Sequence, residues 1–131
     1  MSARLSVLIF LTFSLVACNG GRVDKHALTN DSASIDSIAC EGALLAHDVR
    51  SGRTTATFAH EQAGVLRVQA SNFADALGSR STSPSIEARV RRAGERSARI
   101  ASLLGRLADD SADKNLASML ERRLAALGGC T

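Results

Sequence analysis

Between residues 86 and 107, apolar and small residues return at intervals that alternate four and three: Ile86, Val90, Ala93, Ser97, Ile100, Leu104 and Leu107. That spacing draws one stripe down an α-helix. The same rhythm occurs upstream at Ala59, Ala63, Leu66, Ala70, Phe73 and Leu77, and earlier still at Ile35, Ile38, Gly42, Leu45 and Val49. A fourth stripe holds Leu116, Met119, Leu120, Leu124 and Leu127. The period-two alternation of a half-buried strand is missing, and no segment repeats.

The residues between the stripes predict where each helix starts and stops. The first is expected from about Asp31 to Arg50, ended by Gly52 in the left-handed conformation that glycine adopts without a Cβ clash. Thr54 or Thr55 caps the second, since either hydroxyl can accept from an N–H of the first turn, and Gly78 ends it. After the polar loop Ser79 to Ser83, Ser83-Pro84 opens the third, with proline where its missing N–H costs nothing. Asp109-Asp110-Ser111 is expected to interrupt the pattern and cap the fourth, which Gly128-Gly129 ends. Cys40 and Leu44 lie off the first stripe, so the first helix is expected to touch neighbours on more than one side.

Alternating three and four spacing belongs to helices packed at shallow angles. The fold class that follows is all-α, a small antiparallel four-helix bundle over residues 31–131. The rival arrangement fuses the third and fourth helices into one rod that dimerises.

Upstream of the stripes the pattern changes. Arg4 is followed by an apolar run from Leu5 to Ala17, broken only by Ser6, Thr12 and Ser14. A run this short does not cross a bilayer, which takes about 20 residues, but a charged start, short apolar middle and small residues at the end suit an export signal. Leu15-Val16-Ala17-Cys18 closes the run. This resembles the lipobox of bacterial lipoproteins. The resemblance covers residues 1–18. It implies a signal peptide over 1–17, recognition of Leu15, Val16 and Ala17 by signal peptidase II, and a diacylglyceryl group, with acyl chains such as palmitate, on Cys18. It also implies a mature chain held to a membrane. Asn19 rather than Asp would favour the outer membrane in a two-membrane cell; otherwise the site is the outer face of the cell membrane. Residues 18–30, with Gly and Asn, alternating charges and no apolar period, read as a lipidated flexible tether.

Removal of the signal changes the composition. Arg4 goes with it, so 16 basic residues become 15 against 13 acidic, and the mature chain is nearly neutral. A nucleic-acid partner is not expected. Phe10 and Phe13 go too, leaving Phe58 and Phe73 as the mature aromatics. A chain so poor in aromatics is badly suited to stacking on sugars or bases.

Cys40 and Cys130 remain. In an oxidising compartment an even pair reads as a disulfide; a metal pair or two free thiols are the alternatives. Closing a loop of about 90 residues would stabilise by roughly 4.5 kcal/mol in the chain-entropy account. An up-and-down bundle brings the start of the first helix and the end of the fourth to one end, as such a bridge would need.

Other candidate chemistry is sparse. His47, His60 and Glu61 would meet if the first helix hairpin brought them together, and two His with a carboxylate suit a transition metal. Against this, His60 and Glu61 are sequence neighbours that point about 100° apart on a helix, so no metal and no cofactor are expected. No G-x-S-x-G turn or phosphate-cradling glycine loop occurs, and the chain is expected not to be an enzyme. The third helix carries the densest charge. Arg92, Arg96, Arg99 and Arg106 form a ridge beside its stripe, with Leu103 within it. Glu87 to Arg91 and Glu95 to Arg99 are spaced for ion pairs along a solvated face. The ridge would also suit an anionic lipid surface or an acidic partner protein.

Three functional classes stay open. The first is a non-catalytic interaction or structural module of the bacterial envelope, with an envelope protein as partner. The second is an inhibitor or immunity-type lipoprotein that neutralises an extracytoplasmic hydrolase or toxin, for which Ser79 to Ser83 is the candidate plug. The third is a carrier for a small apolar ligand. The anchor is directly testable: Cys18→Ala should abolish incorporation of labelled fatty acid and leave the precursor uncut. Label equal to wild type in that variant would refute the lipobox.

Overall fold

The computed structural model describes residues 22–130. Four helices follow one another: α1 over Lys25–Ser51, α2 over Ala56–Ser79, α3 over Glu87–Asp109 and α4 over Lys114–Gly128. They form an antiparallel bundle. The closest pairs are α2 with α3 and α1 with α4, and α1 also meets α2 and α3. Third and fourth helices are separate, so the fused rod is excluded.

All but one of the bundle's stripe positions on α1, α2 and α3 are buried; Phe73 is half-buried against the core. On α4, Leu120 and Leu124 are fully enclosed, while Leu116, Met119 and Leu127 pack partly buried at the margin. The stripes account for the leucines but not for the alanines between them. Ala39, Ala46 and Ala117 are as fully buried as Ile100. These small residues let the backbones approach. Ser97 is the one buried polar side chain among the described residues, and its Oγ donates to the Ala70 carbonyl at 2.7 Å, joining α3 to α2.

α1 begins earlier than expected. Residues 25–30, read as tether, are helical, and Asp24 caps them by accepting from the Ala27 N–H at 2.7 Å. The reason is burial. Val23 and Leu28 are almost fully enclosed, and Leu28 extends the α1 stripe by one heptad below Ile35. Thr29 and Ser34 turn their hydroxyls onto the carbonyls four residues back, which lets these poor helix formers stay in the helix. The bundle therefore begins at about residue 23 rather than at residue 31.

Thr55 caps α2 and Gly52 ends α1 with φ of 68°, as expected. Three other boundaries differ. α2 runs one residue past Gly78, to Ser79. Ser83 does not cap α3 through its side chain, which pairs with Ser85 instead; its carbonyl accepts from Ile86 and Glu87 and forms a lead-in turn. α4 is capped by Asp113 rather than by Asp109-Asp110-Ser111, and its carboxylate accepts from the N–H groups of both Asn115 and Leu116.

Cys40 and Cys130 are brought together as a disulfide pair, with Cα atoms 5.6 Å apart. The register differs from the expected one: Cys40 lies near the middle of α1, not at its start. α4 therefore ends against the middle of α1. Gly128 makes this possible. A Cβ there would lie 2.9 Å from Ala39 Cβ, from the Asp36 carbonyl oxygen and from Cys130 Sγ. Gly128→Ala is expected to destabilise the fold by about 1–3 kcal/mol through overpacking, despite alanine's better helix propensity. Thermal or denaturant unfolding checks this, and a stability equal to or above wild type would contradict it.

Candidate functional site

Leu15, Val16, Ala17 and Cys18 lie outside the described residues. The chain enters the bundle at Val23, whose N–H donates to the Ser81 carbonyl at 3.1 Å and which bridges to Thr82. Arg80 reaches Asp31 across the same junction at 3.6 Å. The 79–83 loop is thus laced to the incoming chain at the end where α1 and α3 begin.

The expected Arg ridge is divided by the structure. Arg96 turns inward. Its Nη1 lies 2.7 Å from Asp36 Oδ1, an ionic contact too bent for a hydrogen bond, and its guanidinium donates to the Leu127 and Ser32 carbonyls at 3.4 Å. Arg96 thereby ties α3 to α1 and to the last turn of α4. Arg99 lines a separate groove with Leu103, Arg123, Ala126 and Leu127, and Leu103 itself is buried. Arg106 is exposed in the last turn of α3. Arg92 instead joins Arg89, one turn earlier, on a groove between α1 and α3. The ion pairs differ as well: Glu95 faces Arg91 at 3.9 Å, and Arg99 has no carboxylate partner among the described residues.

His47, His60 and Glu61 do not converge. The His60 Nδ1–H donates to the Ala108 carbonyl at 2.8 Å, serving the end of α3, where carbonyls lack helical partners. Glu61 is exposed on the outer side of α2. Among the described residues no group of three or more His, Cys, Asp or Glu is placed to hold a metal.

His47 belongs to a different cluster, with Arg50 one turn on and Glu121 from α4. Arg50 Nε donates to Glu121 Oε2 at 2.7 Å, and His47 Nδ1 lies 3.0 Å from Glu121 Oε1 and 2.9 Å from Arg50 Nη2. His47 Nδ1 accepts from Arg50 in the tautomer that leaves it bare and donates to Glu121 in the tautomer that carries its hydrogen there. The hydrogen bond from Arg50 holds the Glu121 carboxyl below its ordinary 4.5, helped by His47 and opposed by burial. The same bond raises Arg50. Sequence reading missed this cluster because its members are about 70 positions apart. The available signal was that His47 and Arg50 share one helix face, three residues apart.

One surface is apolar. Leu44 is 61% exposed, Phe58 55%, and Val65 and Val68 51% each. Leu44 and Phe58 border a single groove between α1 and α2, with Glu41, Asp48 and Gln62 around them. Val65 and Val68 continue the exposed side of α2 beside Glu61. No helix of the described residues is long and apolar enough to cross a membrane. No family model matches the chain, and neither a curated protein nor a solved structure does.

The Glu121 cluster predicts a pH dependence. A carboxyl held low in the folded state contributes stability that is present above its unfolded value, about 4.5 here, and is lost as pH falls through the lower folded value. Glu121→Gln should therefore melt below wild type at neutral pH, with the gap closing as pH drops below 4.5. A gap that is constant with pH would refute the charge origin.

Proposed function

We propose that the chain is a lipid-anchored, non-catalytic interaction module of the bacterial envelope, whose α1–α2 face engages an envelope protein. The observation that carries this reading is the exposed apolar face. The bundle leaves Leu44, Val65, Val68 and one of two mature aromatics, Phe58, more than half exposed, while its other leucines are buried or, for Leu116 and Leu127, partly buried. Contiguous apolar surface with a polar rim is characteristic of association sites, and aromatics are enriched at their centres. The rim of this face is charged but of mixed sign: Glu41 and Glu61 share it with Arg67, and Asp48 is paired with Arg53.

The lipobox at Leu15 to Cys18 supports the anchor, and pairing of Cys40 with Cys130 fits an oxidising compartment. Two rival readings lose support. The 79–83 loop is fastened to the chain entry and projects no plug. An interior ligand would need room, yet Gly42 lies so close to α3 that a Cβ there would sit 2.7 Å from Leu104 Cδ2.

A photo-crosslinking residue at position 58, in the full chain within its native envelope, should capture one discrete protein, and the same probe at Arg91 should not. Leu44→Asp in the chain that carries the probe at position 58 should abolish the capture while changing stability by no more than about 0.5 kcal/mol, as at other exposed positions. Identical products from positions 58 and 91 would overturn the assignment of the face.

A further inference from the structure

The bundle carries an unfilled notch at the end where the chain enters. α4 has 15 residues against 27 in α1, so it is about 22 Å long beside about 40 Å. Its end is pinned mid-way along α1 by Cys130, Gly128 and Arg96. Below that point nothing covers the seam between α1 and α3 among the described residues. There Ser32 and Asp36 of α1 face Arg89, Arg92 and Arg96 of α3 across an open groove of about 350 Å³.

We propose that this notch seats the phosphate of an anionic phospholipid headgroup, so that the anchored chain stands on the membrane by the end where α1 and α3 begin. The inference rests on the lipobox reading for its geometry. Three observations carry it. First, Arg96 neutralises Asp36, while Arg89 and Arg92 have no carboxylate partner among the described residues. The notch thus holds two uncompensated guanidiniums three residues apart, which are neighbours on one helix face. Paired guanidiniums are the side chains best matched to a phosphate's oxygens.

Second, the notch floor is closed. Leu28 is 2% and Ala93 7% exposed, so the site takes a headgroup and not an acyl chain. Third, the tether is short. With α1 capped at Asp24, four residues lie between Cys18 and the buried Val23, a span of at most about 18 Å over the five Cα steps. The notch lies at that same end of the bundle, where exposed Arg22 and Lys25 are offset by exposed Asp24 and Glu87, so the uncompensated charge there is that of Arg89 and Arg92. Anionic surfaces attract nearby basic residues, and a lipid anchor would hold this group of them against one.

The test uses the mature chain, residues 18–131 with Cys18→Ser, which contains the whole described bundle. It is sedimented with vesicles of phosphatidylcholine alone or with one third phosphatidylglycerol. Binding is expected only to the anionic vesicles, and to weaken as salt rises. Arg89→Gln with Arg92→Gln should reduce it by about fivefold per arginine, with the helical circular-dichroism signal unchanged. Arg106→Gln with Arg122→Gln, equal in charge but outside the notch, should leave most of it. Equal loss in both variants would replace a site with diffuse attraction and overturn the proposal. So would binding to neutral vesicles, or full competition by millimolar inorganic phosphate, which would mark a site for a free anion. Saturable binding of an acidic peptide in place of vesicles would equally count against it. Fatty-acid labelling of the full chain runs in parallel. Label on Cys18 without vesicle binding sinks the notch and leaves the anchor standing; vesicle binding without label does the reverse.

Discussion

The approach of α4 to the middle of α1 is the constraint on which the rest of this bundle depends. Gly128 has no Cβ, and none would fit between Ala39, the Asp36 carbonyl and Cys130. That closeness sets the Cys40–Cys130 pairing and therefore the register of α4. The register then determines where α4 can stop. Because its last turn meets α1 halfway along, the first third of α1 has no α4 beside it. Arg96 works at the edge of that gap, reaching Asp36 and the carbonyls of Ser32 and Leu127. One glycine and one arginine thus define where the four-helix part ends and the notch begins.

Much of this architecture was legible in the sequence. Stripes of alternating four and three spacing exposed four helices and most of their core positions, because hydrophobic periodicity records which face is buried. Gly52 and Thr55 were readable for the same kind of reason: each satisfies a local backbone need of its own helix. What was not legible involved partners distant in the chain. Helix α1 gains its first turns because Val23 and Leu28 are buried against other elements, which the polar run Thr29-Asn30-Asp31-Ser32 conceals. Asp113, Ser111 and Asp109 are all plausible caps, and chain geometry chose between them. The Cys pairing was readable, but its register depended on a glycine–alanine contact that leaves no periodic trace.

The candidate chemistry divides along the same line. A ridge of Arg92, Arg96, Arg99 and Arg106 follows from helical geometry alone, but helical geometry does not say what faces it. Two helices cover part of the ridge, taking Arg96 into the structure and sending Arg99 to another groove. Arg89 lies one turn from Arg92 on the same face, and both border an open groove because α4 stops short of them. His47 was noticed as a metal candidate beside His60, and its actual company, Arg50 and Glu121, comes from α1 and α4. That trio is better understood as a brace between the helix pair that also carries the disulfide, placed further along the same seam toward Ser51.

The two surfaces proposed for interaction are compatible in space, and the compatibility follows from the helix lengths. A membrane contact at the end where α1 and α3 begin directs the helices away from the bilayer, as far as α1's length of about 40 Å allows. Leu44 and Phe58 lie toward the opposite end, since Leu44 is in the last two turns of α1 and Phe58 in the first turn of α2. The apolar face would then project outward, beyond the headgroups, within reach of a partner protein. Val65 and Val68 continue it down α2 toward the membrane. The rim of this outer face is of mixed sign, with Asp48 paired to Arg53 and Arg67 beside Glu61, while uncompensated arginines border the notch. An anionic bilayer would attract the second, so the notch charges alone would favour this orientation of an anchored bundle.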